Sequence, residues 1–352
     1  MGTLRGAFFV SGICFLGLAV AAAAGMIGPK GGLDMATGGA TLGAMFGAGE
    51  VAGFMGLPQV SLADLGGARV VVLGAPGCTP YASVGHYCAG GPAAIRAGGA
   101  AYAANLGHMN FDLGGTVLPE GSRAVDAGDL AMTAADGAAN RDRLRGAVGQ
   151  VLATGAVPVL IGGDDSLPIP MLQALEEHGP LTILQIDAHI DWRDEVGGER
   201  WGLSSTMRRA SEMAHVAQII QVGQRGIGSA RPGDHQAALA AGVSFVPARE
   251  VAETGIGRAL SLIAPGARVV ICLDVDALDP AIMPAVIGRT AGGLSYWQVF
   301  ELIAGVAAKA RIVAFDMVEF MPERDIDGQG ALVAAQLLAG TIGILARQEA
   351  AE

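Results

Sequence analysis

From about residue 68 the chain alternates between apolar runs of strand length and Ala/Leu-rich amphipathic stretches. The apolar runs are ARVVVLGAP (68–76), AVPVLIGG (156–163), LTILQID (181–187), AQIIQVG (217–223), VSFVPA (243–248), ARVVICLDVD (267–276) and ARIVAFDMVE (310–319). Between them the spacing predicts helices over 140–154, 167–178, 204–215, 231–241, 251–263, 295–309 and 328–348. Near-continuous apolar strands are strands buried on both faces, and their alternation with helices predicts a three-layer α/β/α fold around a mainly parallel sheet. No repeat of 20–50 residues and no linker interrupts 68–348. We therefore expect one domain over 40–352, preceded by an extension over 1–39.

That extension has its own signature. One Arg, an apolar stretch from Ala7 to Ala24 and small residues at its end resemble a secretory signal peptide, and the length just suffices for a membrane span. A Gly/Ala/Met-rich tract follows, with methionines at Met26, Met35 and Met45. The preferred reading is an over-long start, with the protein beginning at one of these and residing in the cytoplasm. A secreted or periplasmic location follows if residues 1–25 are a working signal. On either reading residues 1–35 are expected to pack poorly against the domain.

Composition narrows the partners. Hydrophobic residues make up 51% of the 352 but aromatics only 5%, so the core is expected to be aliphatic. A formal charge of −11 and a pI near 5.0 argue against a nucleic-acid surface, and no membrane partner is expected of the domain. Cys14, Cys78, Cys88 and Cys272 form no C-x-x-C pair, which excludes a zinc-finger arrangement and favours free thiols in a reducing compartment.

Ligands of such sheets bind at the carboxyl ends of the strands, where the polar residues fall. Four apolar runs end in GGDDS (162–166), DAHID (187–191), DVDALDP (274–280) and DMVEF (316–320). Asp187, His189 and Asp191 stand two apart, so in an extended chain they share a face, as do Asp274 and Asp276. With Asp164, Asp165 and Glu319 this gathers many carboxylates around one imidazole. A lone member reads as a cap or turn residue, as Asp279 before Pro280 does and as Asp164 does in part. Together they repel one another unless cations join them. Carboxylate oxygens with one imidazole suit Mn²⁺ or a similar ion, and the charge is too great for a single one.

At this point the sequence resembles the ureohydrolases, the family of arginase, agmatinase and related amidinohydrolases. The resemblance covers about 52–347 and rests on GPAAIR (91–96), VDAGDL (125–130), IGGDDS (161–166), QIDAHIDWRDE (185–195), CLDVDALDP (272–280), GGLSYWQV (292–299) and DMVEFMPERD (316–325). It implies an arginase-like fold, a small substrate of the guanidino class, and two divalent ions bridged by two aspartates and a hydroxide, Mn²⁺ foremost and Ni²⁺ second. Carried over, Asp187 and Asp274 bridge, His189 and Asp276 complete one metal, and Asp191 serves the other and carries protons. Glu319 matches the acidic residue that holds the guanidinium. The resemblance also implies a homo-oligomer, trimeric or hexameric.

Three departures qualify it. Asp165 stands where the family usually has His, and is either a sixth metal ligand or the mark of a weakened position. Residues 202–209, GLSSTMRR, hold no histidine where many agmatinases have an HGTPF-like stretch; His86 is a substitute for binding substrate or else a solvated loop residue. PAVIGRTAGGL (284–294) brings Arg289 to the expected pocket rim, where it would favour a carboxylate-bearing or neutral tail, or else face solvent. The leading expectation is hydrolysis of a guanidino compound with release of urea. The alternatives are a non-catalytic subunit of a mixed oligomer and a single-metal amide hydrolase or deacetylase on the same scaffold.

Overall fold

Eight strands form one sheet in the computed structural model, which describes Gly2, Met45 and residues 52–228 and 230–349. The extension expected over 1–39 lies, Gly2 apart, outside the described residues, as does Cys14. The strands are β1 (Val70–Ala75), β2 (Ala124–Asp129), β3 (Val157–Gly162), β4 (Leu181–Ile186), β5 (Val216–Val222), β6 (Ser244–Val246), β7 (Arg268–Asp274) and β8 (Arg311–Val318). Every pairing is parallel, in the order β2-β1-β3-β8-β7-β4-β5-β6.

Alternate side chains of the strands feed two apolar layers. Val70, Val159, Ile186, Ile271 and Met317 pack on one face with α8 (Tyr296–Ala307) and α9 (Gln329–Arg347). Val71, Leu160, Ile183, Val270 and Ala314 pack on the other with α2 (Gly137–Ala153) and α3 (Pro168–Ala174). Such two-sided burial is why the strands read as unbroken apolar runs. By length and hydropathy α9 would span a membrane, yet 78% of its apolar window is buried within the protein, which makes it a core helix.

Where the elements differ from the expected ones, local chemistry accounts for it. The VDAGDL motif forms β2, an edge strand too acidic to read as apolar. GPAAIR opens α1 (Gly91–Ala100), with Pro at its start. The two motifs meet: Arg96 donates from Nε and Nη2 to Asp126 at 2.7 and 2.9 Å. Gly98 lets α1 lie directly on α9, since a Cβ there would come within 2.5 Å of the Ala331 carbonyl. The helix expected over 251–263 splits into α6 (Ala248–Thr254) and α7 (Gly257–Leu262), because Gly255 ends the first with φ of 77°. The one expected over 204–215 shrinks to α4 (Thr206–Ser211). α5 (Pro232–Ala240) lies close to its expected place, and α8 starts on a Ser295–Gln298 capping box, each side chain meeting the other's backbone N–H.

Candidate metal centre and active site

The sheet order sets β3, β8, β7 and β4 side by side at its centre. Their carboxyl ends carry Asp164 and Asp165, Glu319, Asp274 and Asp276, and Asp187 to Asp191, respectively. The polar runs that looked scattered along the chain are therefore neighbours in space.

The way they converge corrects the expected alternation. β4 ends at Ile186, and residues 187–191 bend rather than continue the pleat, with Asp191 at φ of 45°. Asp187 Oδ1 instead accepts the His189 backbone N–H at 2.5 Å, and Asp274 Oδ1 accepts that of Asp276 at 2.7 Å. Each D-x-H or D-x-D is thus an Asx turn, in which an aspartate binds its own backbone two residues on. The two turns are joined, since the Ala188 N–H donates to Asp276 Oδ1 at 3.1 Å. Gly223 makes room behind them: at φ of 110°, its backbone runs where a Cβ would lie 2.8 Å from the Asp187 carbonyl oxygen.

Two groups of donor atoms result. Asp187, His189, Asp274 and Asp276 each offer one atom, and all lie within 4.8 Å of one another. Asp165, Asp187 and Asp191 do the same, so Asp187 belongs to both. His189 Nδ1 lies 3.0 Å from Asp276 Oδ2 and 3.4 Å from Asp187 Oδ1. Gln185 Nε2 donates to Asp187 Oδ2 at 2.7 Å and Asp191 Oδ2 at 2.6 Å, tying the groups together from below. Gln221 in turn holds Gln185 and donates to the Ile190 carbonyl at 2.8 Å.

Electrostatics separates the members. Burial, then neighbouring carboxylates, pushes Asp165, Asp191 and Asp274 well above the usual carboxylate range, and Asp276 rises for the same reasons. Burial also disfavours a charged His189, but its hydrogen bonds to the carboxylates of Asp187 and Asp276 outweigh it and hold its pKa up to about 12. Asp187 is likewise opposed by burial, and the His189 hydrogen bond and charge bring it below its ordinary value. Asp165 Oδ2 is buried without a hydrogen-bond partner. Carboxylates raised this far, one orphaned oxygen and a single imidazole make a donor set that fits two divalent cations sharing Asp187.

Glu319 lies in the same cavity, with left-handed backbone at φ of 69°. The Tyr87 hydroxyl meets its two carboxylate oxygens at 2.6 and 2.5 Å, and the Asp165 N–H donates to Oε1 at 2.8 Å. Burial lifts Glu319 to about 8, against the pull of the Tyr87 hydrogen bond. Two non-glycine residues with positive φ, Asp191 and Glu319, thus stand in one site, where such backbone strain concentrates.

The cavity measures about 250 Å³ and includes Asp165, His189, Asp191, Asp274, Asp276 and Glu319 in its lining. Asp164 stays structural: it accepts the Cys78 N–H at 3.1 Å and the Ser166 N–H at 3.1 Å. Neither His86 nor Arg289 is among the described lining residues. His86 lies against Gly77 and has a buried, unpartnered Nε2. Arg289 donates to the Pro284 carbonyl at 2.6 Å and the Arg324 carbonyl at 2.7 Å, and its loop presents Ile287 and Gly288 to the cavity instead. Sequence reasoning missed Tyr87, Gln185 and Arg225. The last donates to the carbonyls of Asp276, Ala277 and Thr290, pinning the second Asx turn to the rim loop. Gln185, two before Asp187 on a strand, was open to period-2 reasoning; the others carried no signal. Cys78, Cys88 and Cys272 are free and buried.

A parallel sheet bearing two carboxylate groups that share one aspartate defines a scaffold for a binuclear metal centre of the arginase-like kind. The chain belongs to the arginase family, whose profile matches residues 68–343. It is 32% identical to proclavaminate amidinohydrolase of Streptomyces clavuligerus over 282 residues, 77% of this chain and 86% of that protein. The solved structure of a proclavaminate amidinohydrolase from that organism superposes with a TM-score of 0.71 at 28% identity, covering 86% of this chain and 99% of the other. Identity to mitochondrial agmatinase of Gallus gallus is 34% over 203 residues, which span 56% of this chain and 59% of that protein.

Proposed function

We propose that the protein hydrolyses the C–N bond of a guanidino compound and releases urea. One observation carries this reading: two donor groups sharing Asp187 open into the same cavity as Glu319. Asp187, His189, Asp274 and Asp276 would hold one ion and Asp165, Asp187 and Asp191 the other, Mn²⁺ foremost and Ni²⁺ second. When bound, such ions make water nucleophilic near neutral pH and stabilise developing negative charge. The relatives named proclavaminate amidinohydrolase and agmatinase support the same class of substrate.

The chain's own groups supply orientation and proton transfer. Glu319 accepts paired N–H bonds from the planar guanidinium, and Tyr87 fixes its carboxylate so that little ordering is left for binding. A cation beside Glu319 lowers the pKa that burial has raised, so substrate itself ionises its partner. Water adds to the guanidinium carbon, the bond to the alkylated nitrogen breaks, and Asp191 carries a proton to that nitrogen as the amine departs. The products are urea and an alkylammonium ion, which balances atoms and charge.

The test is metal analysis together with urea and ammonia release across guanidino compounds, with Mn²⁺ or Ni²⁺ supplied. Two ions per chain and urea formation are expected. A chain that binds two ions yet releases no urea from any of them would sink the proposed reaction. One ion per chain with amide hydrolysis would instead favour the single-metal reading, for which the four donors around His189 suffice.

A further inference from the structure

We propose that Arg193 anchors a carboxylate at the far end of the substrate, so that the compound taken is an ω-guanidino acid rather than a guanidino amine. This rests on the guanidinium reading above. Among the described residues lining the cavity, Arg193 is the only Lys or Arg. Its backbone is fixed, since the Arg193 N–H donates to the Ser204 carbonyl at 2.8 Å, and Ser204 lines the same cavity. Its side chain remains 28% exposed, with Nε 3.4 Å from Asp234 Oδ2 on the first turn of α5.

That single long pairing orients the guanidinium without saturating it. An arginine has five donors, and a carboxylate can meet two of them side by side. A substrate amine would bring a second cation against Arg193 and would have to compete for Asp234; a carboxylate completes the charge pattern instead. The walls of the same cavity include the apolar side chains of Trp192, Leu203 and Ile287, which suit a short methylene spacer. The cavity, about 250 Å³, has room for a compact guanidino acid.

The experiment uses the full chain loaded with Mn²⁺. Urea release and direct calorimetric binding are measured with 3-guanidinopropanoate, 4-guanidinobutanoate, agmatine and arginine. The parent should prefer at least one guanidino acid over agmatine and arginine by about tenfold or more in kcat/KM. Arg193→Gln should cost about 100-fold on that acid, mainly through KM, while agmatine loses nothing and gains about threefold or more as the like charge is removed. Arg193→Lys should recover part of the loss. Preference of the parent for agmatine or arginine would overturn the inference, as would an equal loss on all substrates in Arg193→Gln. If no urea appears at all, binding decides. An acid that binds the parent and not Arg193→Gln supports the anchor while sinking the proposed reaction; no binding of either acid overturns the anchor as well.

Discussion

The two halves of the carboxylate cluster stand on one sheet edge and share Asp187, yet they differ in how they tolerate their own charge. Around His189, a proton on the imidazole plays the cation's part: Asp187 falls below its ordinary value and His189 rises to about 12. Around Asp165 no imidazole is present. Asp165 is pushed up by burial and then by the charges of Asp191 and Asp187, Asp191 by burial and then by that of Asp187, and Asp165 Oδ2 finds no partner. At position 165 the second half has Asp where the resembled motif has His. In the first half the His189 proton compensates Asp187 alone, since Asp274 and Asp276 are raised as well; in the second, Asp165 and Asp191 both need protons or a cation. Loading either half must displace protons, so affinity should rise with pH.

The largest effect belongs to the residue the halves share. Asp187→Ala should abolish binding of both ions and cut urea release by about 1000-fold or more, about 4 kcal/mol of transition-state stabilisation. Full-affinity binding of one ion by that variant would show that the halves do not depend on Asp187 together. Next comes position 165. Asp165→Asn should leave one ion per chain and reduce activity by about 100-fold, about 2.7 kcal/mol. Asp165→His should keep two. Unchanged stoichiometry and affinity in Asp165→Asn would remove Asp165 from the ligand set.

The contrast between the halves was only partly legible in the sequence. Apolar runs and helix spacing pointed to the parallel sheet, and acidic strand ends pointed to its carboxyl edge. β2 escaped because Asp126 and Asp129 interrupt its apolar character, their charge being met by Arg96 from α1. At the site, the D-x-H and D-x-D spacing was noticed, but as strand alternation; the structure makes both Asx turns, which the same two-residue spacing also allows. Tyr87 and Arg225 act across 232 and about 50 residues of chain, respectively. Such contacts are set by topology, and no local pattern encodes them.

Gln185 offers a smaller effect that sharpens the comparison, because it touches one aspartate common to both halves and one belonging only to the second. Groups that orient metal ligands typically change metal affinity by about 10–100-fold when removed. Gln185→Leu should therefore weaken the Asp165 half more than the His189 half. Stepwise metal titration would resolve two affinities, and an equal loss at both would assign Gln185 to Asp187 alone.

The smallest effect on activity and the clearest on stability is expected at Asp316, a fully buried carboxyl on β8 paired in register with Cys272. Neither of its oxygens has a hydrogen-bond partner meeting ordinary geometry, and its charge helps to raise Asp165. Burial pushes Asp316 up from 3.8 to about 7, against the weaker pull of the Cys272 thiol and Leu273 N–H. A carboxyl with a raised folded pKa stabilises the fold in its protonated form. Its contribution is fully present below about pH 4 and is lost as pH rises through about 7, a span worth at most about 4 kcal/mol. Asp316→Asn keeps the shape and cannot ionise. In metal-free protein its melting temperature should exceed the parent's by a margin that widens by roughly 5 °C between pH 5 and 8 and then levels off. A margin independent of pH would mean that Asp316 is not ionising in the fold. In an Asp165→His background the widening should shrink without changing sign, since an imidazolium at 165 would favour the Asp316 carboxylate while burial still opposes it.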